Sequence, residues 1–409
     1  MTAAVHVFTS ITSNYLPKAR VLAESVKRQA TPAQFHLVLS DDPPPGFDLA
    51  QEPFDSVVSI DSLPIDKRAG WCFSHTVVEL CTAVKGLAVE TLFERFGAEK
   101  VFYFDPDMAV FGRFDELVAA LDNNSVLLTP HQVDPELSDE AIMDNEMASL
   151  QYGVFNLGFL GVRNDGEGRR FSRWWMERLL HYCHDDLPRG LFTDQKWVNL
   201  APCFFDNIRV LRSPAFNVAT WNITRRSATG SIDTGVFIND EALGFYHFSG
   251  FDSGAQEVML GKYGNGSPVL HALREWYIAA CDAHGQQQLG KLPCKFARYD
   301  DGTPITRPER VLYRQRGDLQ AAFPDPFATT NGGGYRQWYA INVLPESESE
   351  SASTAPSRTI SIPADAAVAD VFSDLADWLA RRAATASGRI KRAVLALAAR
   401  AFRVLAWCR

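Results

Sequence analysis

Apolar residues follow two different periods along the first half of the chain. Between Leu16 and Val26 they recur at helical spacing, which predicts an amphipathic helix over 15–29. The run 101–104 is apolar at every position, as is typical of a strand buried on both faces of a sheet. The same criteria predict strands over 5–9, 35–39, 56–60, 126–129 and 154–162, and helices over 75–96 and 167–184. This alternation indicates an α/β fold in which helices cover both faces of a mostly parallel sheet.

The regular pattern weakens after residue 275, and the chain continues in short helical segments and loops. Residues 345–357 are rich in Ser, Glu and Pro, a composition typical of disordered linkers. Beyond them, helical periodicity returns over 366–383 and 388–407. We therefore expect four regions: a main domain over 1–275, a helical and loop extension over 276–344, a linker over 345–363 and a helical tail over 364–409.

Charge is distributed unevenly between the body and the tail. The whole chain has 409 residues and a formal net charge of -9, so a protein that neutralises many nucleic-acid phosphates is not expected. From Arg381 onward there are eight basic residues and no acidic one. The body is therefore still more acidic than the whole, and the cationic tail needs an explanation of its own.

A helical wheel of the tail separates basic from apolar residues. One stripe holds Arg389, Arg392, Arg400 and Arg403, and the other side holds Ile390, Val394, Leu397, Ala401 and Leu405. The segment 388–409 is expected to lie on an anionic membrane surface. The alternatives are docking on the protein's own acidic body and pairing with a partner helix.

Cellular location is predicted from the N-terminus, the hydropathy and the cysteines. The first ten residues contain no basic region before a long apolar run, so no signal peptide is expected. No run reaches the roughly 18 apolar residues of a membrane span. The seven cysteines are scattered and never spaced as CxxC, which favours reduced thiols over disulfides or a zinc site. These features predict a cytoplasmic protein that the tail holds at the inner face of the cell membrane.

Two paired carboxylates follow the buried strand predicted over 101–104. Asp105 and Asp107 flank Pro106 at its carboxyl end, which is where ligands bind in open α/β sheets. Such a pair suits a hard divalent cation that bridges phosphates. The alternative is an ordinary capped turn at a strand end. Neither a G-x-G-x-x-G after the first strand nor a G-x-x-x-x-G-K-[ST] is present, which argues against a nucleotide dehydrogenase or a P-loop NTPase.

A histidine lies in the aromatic segment 245–250. Imidazole is a good third ligand for Mn²⁺ beside two carboxylates, so His247 is a candidate ligand. A hydrogen-bonded core histidine is the alternative. Gly250, three residues later, has no side chain and would let the backbone approach a phosphate closely.

Two further polar motifs interrupt apolar surroundings. Asn156 lies in a predicted strand next to Gly158, where a buried amide needs partners and where an edge strand with a bulge is the alternative. Asp194 and Gln195 precede a predicted helix. A carboxylate with an adjacent amide can stabilise a cationic sugar transition state, whereas capping of the helix by Thr193 or Asp194 is the alternative.

Taken in order, five segments resemble a known group of enzymes. They are the first strand with Ser10, FYFDPDMAVF, FNLGFLGV, LFTDQKW and FYHFSG, over about residues 4–265. Their order and approximate spacing resemble nucleotide-sugar glycosyltransferases with a GT-A (Rossmann-like) fold, above all the retaining galactosyltransferase/glycogenin-like family (family eight). The stretch AFNVATWNITRR with FYHFSGF also resembles bacterial surface-polysaccharide glycosyltransferases.

The resemblance implies a role for each matching position. For the metal, Asp105 and Asp107 match the metal-binding DxD, His247 matches the third ligand, and Gly250 matches the glycine after that histidine. For the nucleotide, Thr9 and Ser10 match uridine contacts and Lys85 matches a basic contact to the donor. For the sugar, Asn156 and Gly158 match contacts to the donor sugar, and Asp194 and Gln195 match the pair beside the anomeric carbon. The family usually has a lysine shortly after that glycine to hold the diphosphate. This chain has Phe251, Asp252 and Ser253 there, so either Lys262 replaces that lysine or the leaving group is held differently.

The function implied by the resemblance is metal-dependent glycosyl transfer. Mn²⁺ or Mg²⁺ would be the cofactor, a nucleotide-diphosphate sugar such as a UDP-sugar the donor, and a glycan, a lipid-linked sugar or a protein the acceptor. Retention of configuration is favoured over inversion. A sugar nucleotidyltransferase is one rival, although residues 9–14 lack the Gly/Arg/Lys-rich loop expected of it. An inactive sugar-nucleotide-binding protein is the other, and the complete set of metal-ligand candidates argues against it.

Overall fold

The computed structural model describes residues 5–264, 266–329 and 334–343. Its strands are β1 Val5–Ile11, β2 Gln34–Leu39, β3 Ser56–Ser59, β4 Lys100–Phe104, β5 Met108–Val110, β6 Val126–Pro130, β7 Phe155–Arg163, β8 Asp185–Asp186, β9 Leu191–Phe192, β10 Ile208–Val210, β11 Ala228–Ser231, β12 Gly235–Ile238, β13 Glu241–Ala242 and β14 Phe245–His247. The strands predicted from the sequence are all present, with ends shifted by one or two residues.

Seven strands form the central sheet in the order β10-β6-β7-β4-β1-β2-β3. Every neighbouring pair is parallel except those of β7, which runs antiparallel to both β4 and β6. The predicted mostly parallel sheet is therefore confirmed. Since β7 lies between two strands, the alternative is wrong in placing Asn156 and Gly158 on an edge strand, although the register between β6 and β7 does shift over this stretch.

Helices surround this sheet. They are α1 Leu16–Lys27, α2 Arg68–Phe73, α3 Val77–Ala83, α4 Lys85–Arg95, α5 Phe114–Asn123, α6 Asp139–Ala141, α7 Met147–Tyr152, α8 Gly166–Tyr182, α9 Gln195–Val198, α10 Ala201–Phe204, α11 Ala255–Tyr263, α12 Pro268–Ala283, α13 Gln286–Leu289, α14 Arg307–Gln315, α15 Gly317–Ala322 and α16 Tyr335–Asn342. A π-helical turn, Ile142–Glu146, joins α6 to α7. Short 3₁₀ helices cover Ser13–Tyr15, Leu49–Gln51, Ile60–Ser62, Leu187–Arg189, Ile223–Arg225 and Lys295–Ala297.

The helix predicted over 75–96 is divided into α3 and α4. Thr76 begins α3 with a capping box: its hydroxyl accepts the N–H of Glu79, and the Glu79 carboxylate accepts the N–H of Thr76. Val84 separates the two helices, so that Lys85 becomes the first residue of α4.

Alternate side chains of the central strands pack into two separate cores. Phe8 and Tyr103 belong to the core under α3, α4 and α8, which includes the fully buried Trp175. Val7 and Phe102 point to the opposite face and pack under α1 and α5. Both faces are therefore covered by helices, as the apolar strand 101–104 predicted.

The residues after 275 do not form a separate body within the described part of the chain. Helix α12 runs through the predicted boundary at 275. Arg310 on α14 donates to the carbonyl oxygens of Phe73 and His75, at 2.9 and 2.6 Å, which fixes this region to the end of α2. A cluster of aromatic residues, with Phe73 at its centre, completes the contact.

Two expectations for the C-terminal part lie outside the described residues. They are the linker over 345–363 and the basic helical tail over 364–409, with its contact to an anionic membrane surface through 388–409. Among the residues that the structure describes, no helix is long and apolar enough to cross a membrane.

Candidate active site

The turn after β4 carries the two predicted carboxylates. The N–H of Asp105 donates to the carbonyl of Gly158 on β7 at 2.7 Å, and Met108 closes the turn by donating to the Asp105 carbonyl at 3.1 Å. Phe248 donates its N–H to the Asp107 carbonyl at 2.7 Å. The backbone of this turn is thus attached to both β7 and the segment after β14, so its side chains are held in fixed positions.

His247 meets these carboxylates because β14 pairs with β5. The pairing is antiparallel and sets His247 opposite Met108. Its Nε2 lies 3.1 Å from Asp107 Oδ1 and 3.8 Å from Asp105 Oδ2. One ligand atom from each of the three residues lies within 4.8 Å of the others. Two carboxylates and an imidazole are the donor set expected of a Mn²⁺ or Mg²⁺ site, so the residues present fit a divalent cation.

The charges of this cluster are coupled. Burial works to raise the pKa of Asp107, but the charge and hydrogen bond of His247 outweigh it, and the pKa lies below its ordinary value. Burial works to lower the pKa of His247, but Asp107 outweighs it and the pKa is raised. Asp107 and His247 therefore stabilise each other's charged forms.

Gly158 allows the ring of His247 to lie against β7. A Cβ at this position would lie 2.8 Å from His247 Cε1, 2.5 Å from Met108 Cε and 2.8 Å from Asn156 Oδ1. The Asn156 oxygen accepts the N–H of Gly158 and an N–H of Asn217, both at 3.2 Å, and its amide donates to His131 Nε2. The buried Asn156 therefore has partners on three sides and braces the strand behind His247.

A buried ion pair lies beside the metal-ligand candidates. Lys85 Nζ is 3.0 Å from Asp194 Oδ2, 3.4 Å from Asp105 Oδ1 and 3.3 Å from the carbonyl of Leu157. Burial works to lower the pKa of Lys85, but the charges of Asp105 and Asp194 outweigh it and raise it. The pKa of Asp194 is raised by its burial, although Lys85 opposes this. Lys85 therefore connects the DxD turn to the Asp194–Gln195 motif.

Neither residue of the motif 194–195 caps helix α9 with its side chain. Asp194 is the N-cap residue, yet its carboxylate makes no capping hydrogen bond. Gln195 accepts the N–H of Leu157 at 3.2 Å and donates to the carbonyl of Tyr152 at 3.0 Å. The capping alternative for Asp194 is therefore wrong, and the amide of Gln195 links β7 to the end of α7.

These groups face a cavity of about 300 Å³. Seven of the predicted site residues line it: Ser10, Lys85, Asp105, Asp107, Gly158, Asp194 and Gln195. The hydroxyl of Ser10 donates to the carbonyl of Cys81 at 2.7 Å. Thr9 is fully buried in β1, and neither it, nor Asn156, nor His247 lines the cavity.

The last two predicted donor contacts lie elsewhere. Gly250 has φ +73°, a conformation that favours glycine, and its carbonyl accepts the N–H of Gln256 at 3.1 Å. Lys262 is on α11, where its ammonium lies 2.5 Å from Asp144 and 2.8 Å from Glu140. Neither residue lines the cavity. A phosphate contact by either one stays a prediction.

Two tyrosines of the cavity were missed by the sequence analysis. Tyr15 precedes α1 and lines the cavity, and Tyr103 donates its hydroxyl to Asp105 Oδ1. Tyr103 is two residues before Asp105, so both side chains leave β4 on the same side. A tyrosine in an otherwise phenylalanine-rich strand was the available signal.

The chain has distant relatives among curated proteins. No family model matches the chain. It is 29% identical over 154 residues to the uncharacterized protein YfnF of Bacillus subtilis (strain 168), covering 37% of this chain and 50% of YfnF. It is 29% identical over 181 residues to YfnD of the same organism, covering 44% of this chain and 55% of YfnD. The chain thus spans about half the length of the curated relatives that it matches.

Several solved structures are similar at low identity. The galactosyltransferase LgtC, in complex with donor and acceptor sugar analogues, is 16% identical, with a TM-score of 0.37 and coverage of 71% of this chain and 97% of LgtC. Mouse xyloside xylosyltransferase 1 is 14% identical, with a TM-score of 0.35 and coverage of 60% and 97%. The glycosyltransferase GlyE of Streptococcus pneumoniae is 15% identical, with a TM-score of 0.34 and coverage of 72% and 66%. All three of these proteins are glycosyltransferases.

Proposed function

We propose that this protein is a metal-dependent glycosyltransferase that moves a sugar from a nucleotide-diphosphate donor, a UDP-sugar, to a glycan, lipid-linked or protein acceptor with retention of configuration. One observation carries the proposal. Asp105, Asp107 and the ion pair of Lys85 with Asp194 line one cavity of about 300 Å³, and His247, the third metal-ligand candidate, lies 3.1 Å from Asp107.

The metal-ligand candidates would hold the reacting end of the donor. A divalent cation bound by Asp105, Asp107 and His247 would supply a Lewis acid for the leaving diphosphate. The N–H of Phe248, the residue after His247, donates to the carbonyl of Asp107. This hydrogen bond holds the backbones of Asp107 and His247 together and so fixes the distance between their side chains. Positions fixed before the donor binds need no reorganisation during the reaction.

Asp194 is the carboxylate proposed to act on the sugar. It lines the cavity together with the DxD turn, and Lys85 contacts both Asp194 and Asp105. As the bond to the diphosphate breaks, the anomeric carbon gains positive charge, which a fixed carboxylate stabilises. The ion pair with Lys85 orients Asp194 before the reaction. Gln195 accepts the N–H of Leu157 and so holds the adjacent backbone of β7.

Retention is favoured by how the carboxylates are engaged. Inversion needs a carboxylate base on the face opposite to the leaving group. Asp105 and Asp107 belong to the metal cluster, and Asp194 is ion-paired with Lys85. In a retaining reaction the leaving phosphate accepts the acceptor proton, so no further protein base is required.

A panel of nucleotide sugars tests the proposal. The full chain is incubated with UDP-, GDP-, ADP-, CMP- and dTDP-sugars with Mn²⁺, with Mg²⁺ and with excess EDTA, and the released nucleotide is measured. We expect metal-dependent release from one donor class, with UDP-sugars preferred. Release of pyrophosphate from a sugar phosphate and a nucleoside triphosphate would indicate a nucleotidyltransferase, and no turnover with any donor or acceptor would contradict the proposal.

A further inference from the structure

A buried lysine lies close to the metal-ligand candidates without being one of the predicted site residues. Lys18 is in the first turn of α1 and its side chain is only 2% exposed. Its ammonium donates to Asp252 Oδ2 at 2.7 Å, whereas the side chain of Asp252 is 43% exposed. Burying an ammonium is unfavourable unless it is paired, so the buried Lys18 depends on its ion pair with Asp252.

Two aromatic rings complete the surroundings of this ammonium. Lys18 Nζ lies 3.5 Å from the ring centroid of Tyr15 and 5.0 Å from that of Phe251. Both distances are within the range of cation–π attraction. The two rings therefore stabilise the ammonium of Lys18, and Asp252 is its carboxylate partner.

One of the two rings around Lys18 belongs to the active-site cavity. Tyr15 lines that cavity together with Asp107. Phe251 follows the turn after His247, and its N–H donates to the carbonyl of Phe248, the residue whose own N–H is bonded to Asp107. The charge of Asp107 is among the groups that raise the pKa of Lys18 against the effect of its burial. Lys18 itself does not line the cavity; its ammonium lies directly behind the ring of Tyr15, which does.

The other lysines considered for the donor are already engaged. Lys85 is paired with Asp194 and Asp105. Lys262 is paired with two carboxylates, those of Asp144 and Glu140. The chain has no lysine at 251–253, where the resemblance predicts one for the diphosphate. A diphosphate carries more negative charge than a divalent cation bound by two carboxylates can neutralise, so a further cation is needed.

We propose that Lys18 is the cation that binds the diphosphate of the donor, and that Asp252 holds it in position when no donor is bound. This inference rests on the proposed function. Asp252 is at the surface and regains hydration when a phosphate oxygen replaces it, which makes the exchange of partners possible. Asp252 and the diphosphate therefore compete for the same ammonium.

Calorimetry with UDP and excess Mn²⁺ tests this on the full chain. Lys18→Met is expected to weaken UDP binding about 10- to 100-fold, because a charge-assisted hydrogen bond is lost. Asp252→Asn is expected to tighten UDP binding about 3- to 10-fold, because the competing carboxylate is removed. Lys27→Met is the matched control, since Lys27 is on the same helix but pairs at the surface with Asp55. It is expected to change neither value.

The opposite signs of the two variants separate this role from a structural one. If Lys18 only stabilises the fold, Asp252→Asn leaves it buried without its partner and UDP binding stays the same or weakens. Either result overturns the inference, as does unchanged binding in a folded Lys18→Met protein. Should Lys18→Met fail to fold, the Asp252→Asn result decides. Absence of binding of UDP and of other nucleoside diphosphates to the wild-type protein would instead contradict the proposed function itself.

Discussion

The ammonium of Lys85 lies 3.0 Å from the carboxylate of Asp194, a residue 109 positions later in the chain. Both side chains are buried, and Lys85 is also 3.4 Å from Asp105. Helix α4 begins at Lys85 and helix α9 begins directly after Asp194. This ion pair thus joins the starts of two helices to the turn that carries the metal-ligand candidates, and we expect both stability and activity to depend on it.

Lys85→Met is expected to lower the free energy of unfolding by about 3 kcal/mol, because it leaves the Asp194 carboxylate buried without a cation. Adding Asp194→Asn should recover a substantial part of that loss, since a neutral amide is less unfavourable there. Urea denaturation measures both. Lys295→Met, which removes a surface partner of Asp42, is the control and should change stability by less than about 0.5 kcal/mol. A double variant as unstable as the sum of its parts would contradict this account.

Asp194→Asn is expected to lower kcat for the best donor by about 100-fold or more while leaving KM nearly unchanged. The reason is that charge on the sugar develops only in the transition state, so its stabilisation is lost there alone. Steady-state kinetics with the donor found in the nucleotide-sugar panel measures this. A rise in KM with kcat unchanged would show that Asp194 only binds the donor.

Asp107→Asn is expected to reduce turnover by roughly 1000-fold and to weaken Mn²⁺ binding, because one of three ligands loses its charge. Thermal melting should show a folded protein, and Mn²⁺ binding is followed by electron paramagnetic resonance. Asp115→Asn, at an exposed position on α5, is the control and should match the wild type. Full activity of Asp107→Asn, or of the wild type in excess EDTA, would rule out this metal site.

Gly158→Ala is expected to weaken Mn²⁺ binding about 10-fold or more, since the new Cβ would displace the ring of His247. Overpacking of this kind also lowers stability by about 1–3 kcal/mol. Gly166→Ala is the matched control, because a Cβ there meets no atom within 4 Å. Unchanged metal affinity in Gly158→Ala would mean that His247 is not a ligand.

Asp41→Asn is expected to stabilise the protein at pH 7 but not at pH 4. Burial raises the pKa of Asp41 to about 6, against the effect of the two hydrogen bonds from Ser13. The folded state therefore binds a proton that the unfolded state releases near pH 4, so Asp41 reduces stability as the pH rises from about 4 to 6.

The amide of Asn at position 41 keeps an oxygen for the Ser13 donors and carries no charge, so the gain at pH 7 should be about 1–3 kcal/mol. Urea denaturation at both pH values compares the variant with the wild type. Asp42→Asn, at the exposed neighbouring position, should differ from the wild type by less than about 0.5 kcal/mol. An equal gain at pH 4 and pH 7 would show that the effect is not a titration of Asp41.

Local patterns were sufficient to predict six of the seven strands of the central sheet and one end of the site; β10 was not predicted. The apolar run 101–104 predicted a buried strand, and the DxD directly after it needed no tertiary information, because a strand and the turn that follows it are adjacent in sequence. The capping box at Thr76 and Glu79 is likewise a local signal, although the break at Val84 was not predicted.

Contacts between distant segments decided the rest of the site. His247 reaches Asp107 only because β14 pairs with β5, and Gly158 makes room for it from a third strand. Lys18 reaches Asp252 across 234 positions, and Lys262 is engaged by Asp144 rather than lying in the cavity. Hydrophobic periodicity specifies which face of an element is buried. It does not specify which charged side chains meet after burial, because that depends on strand pairing and on the partners that can neutralise each buried charge.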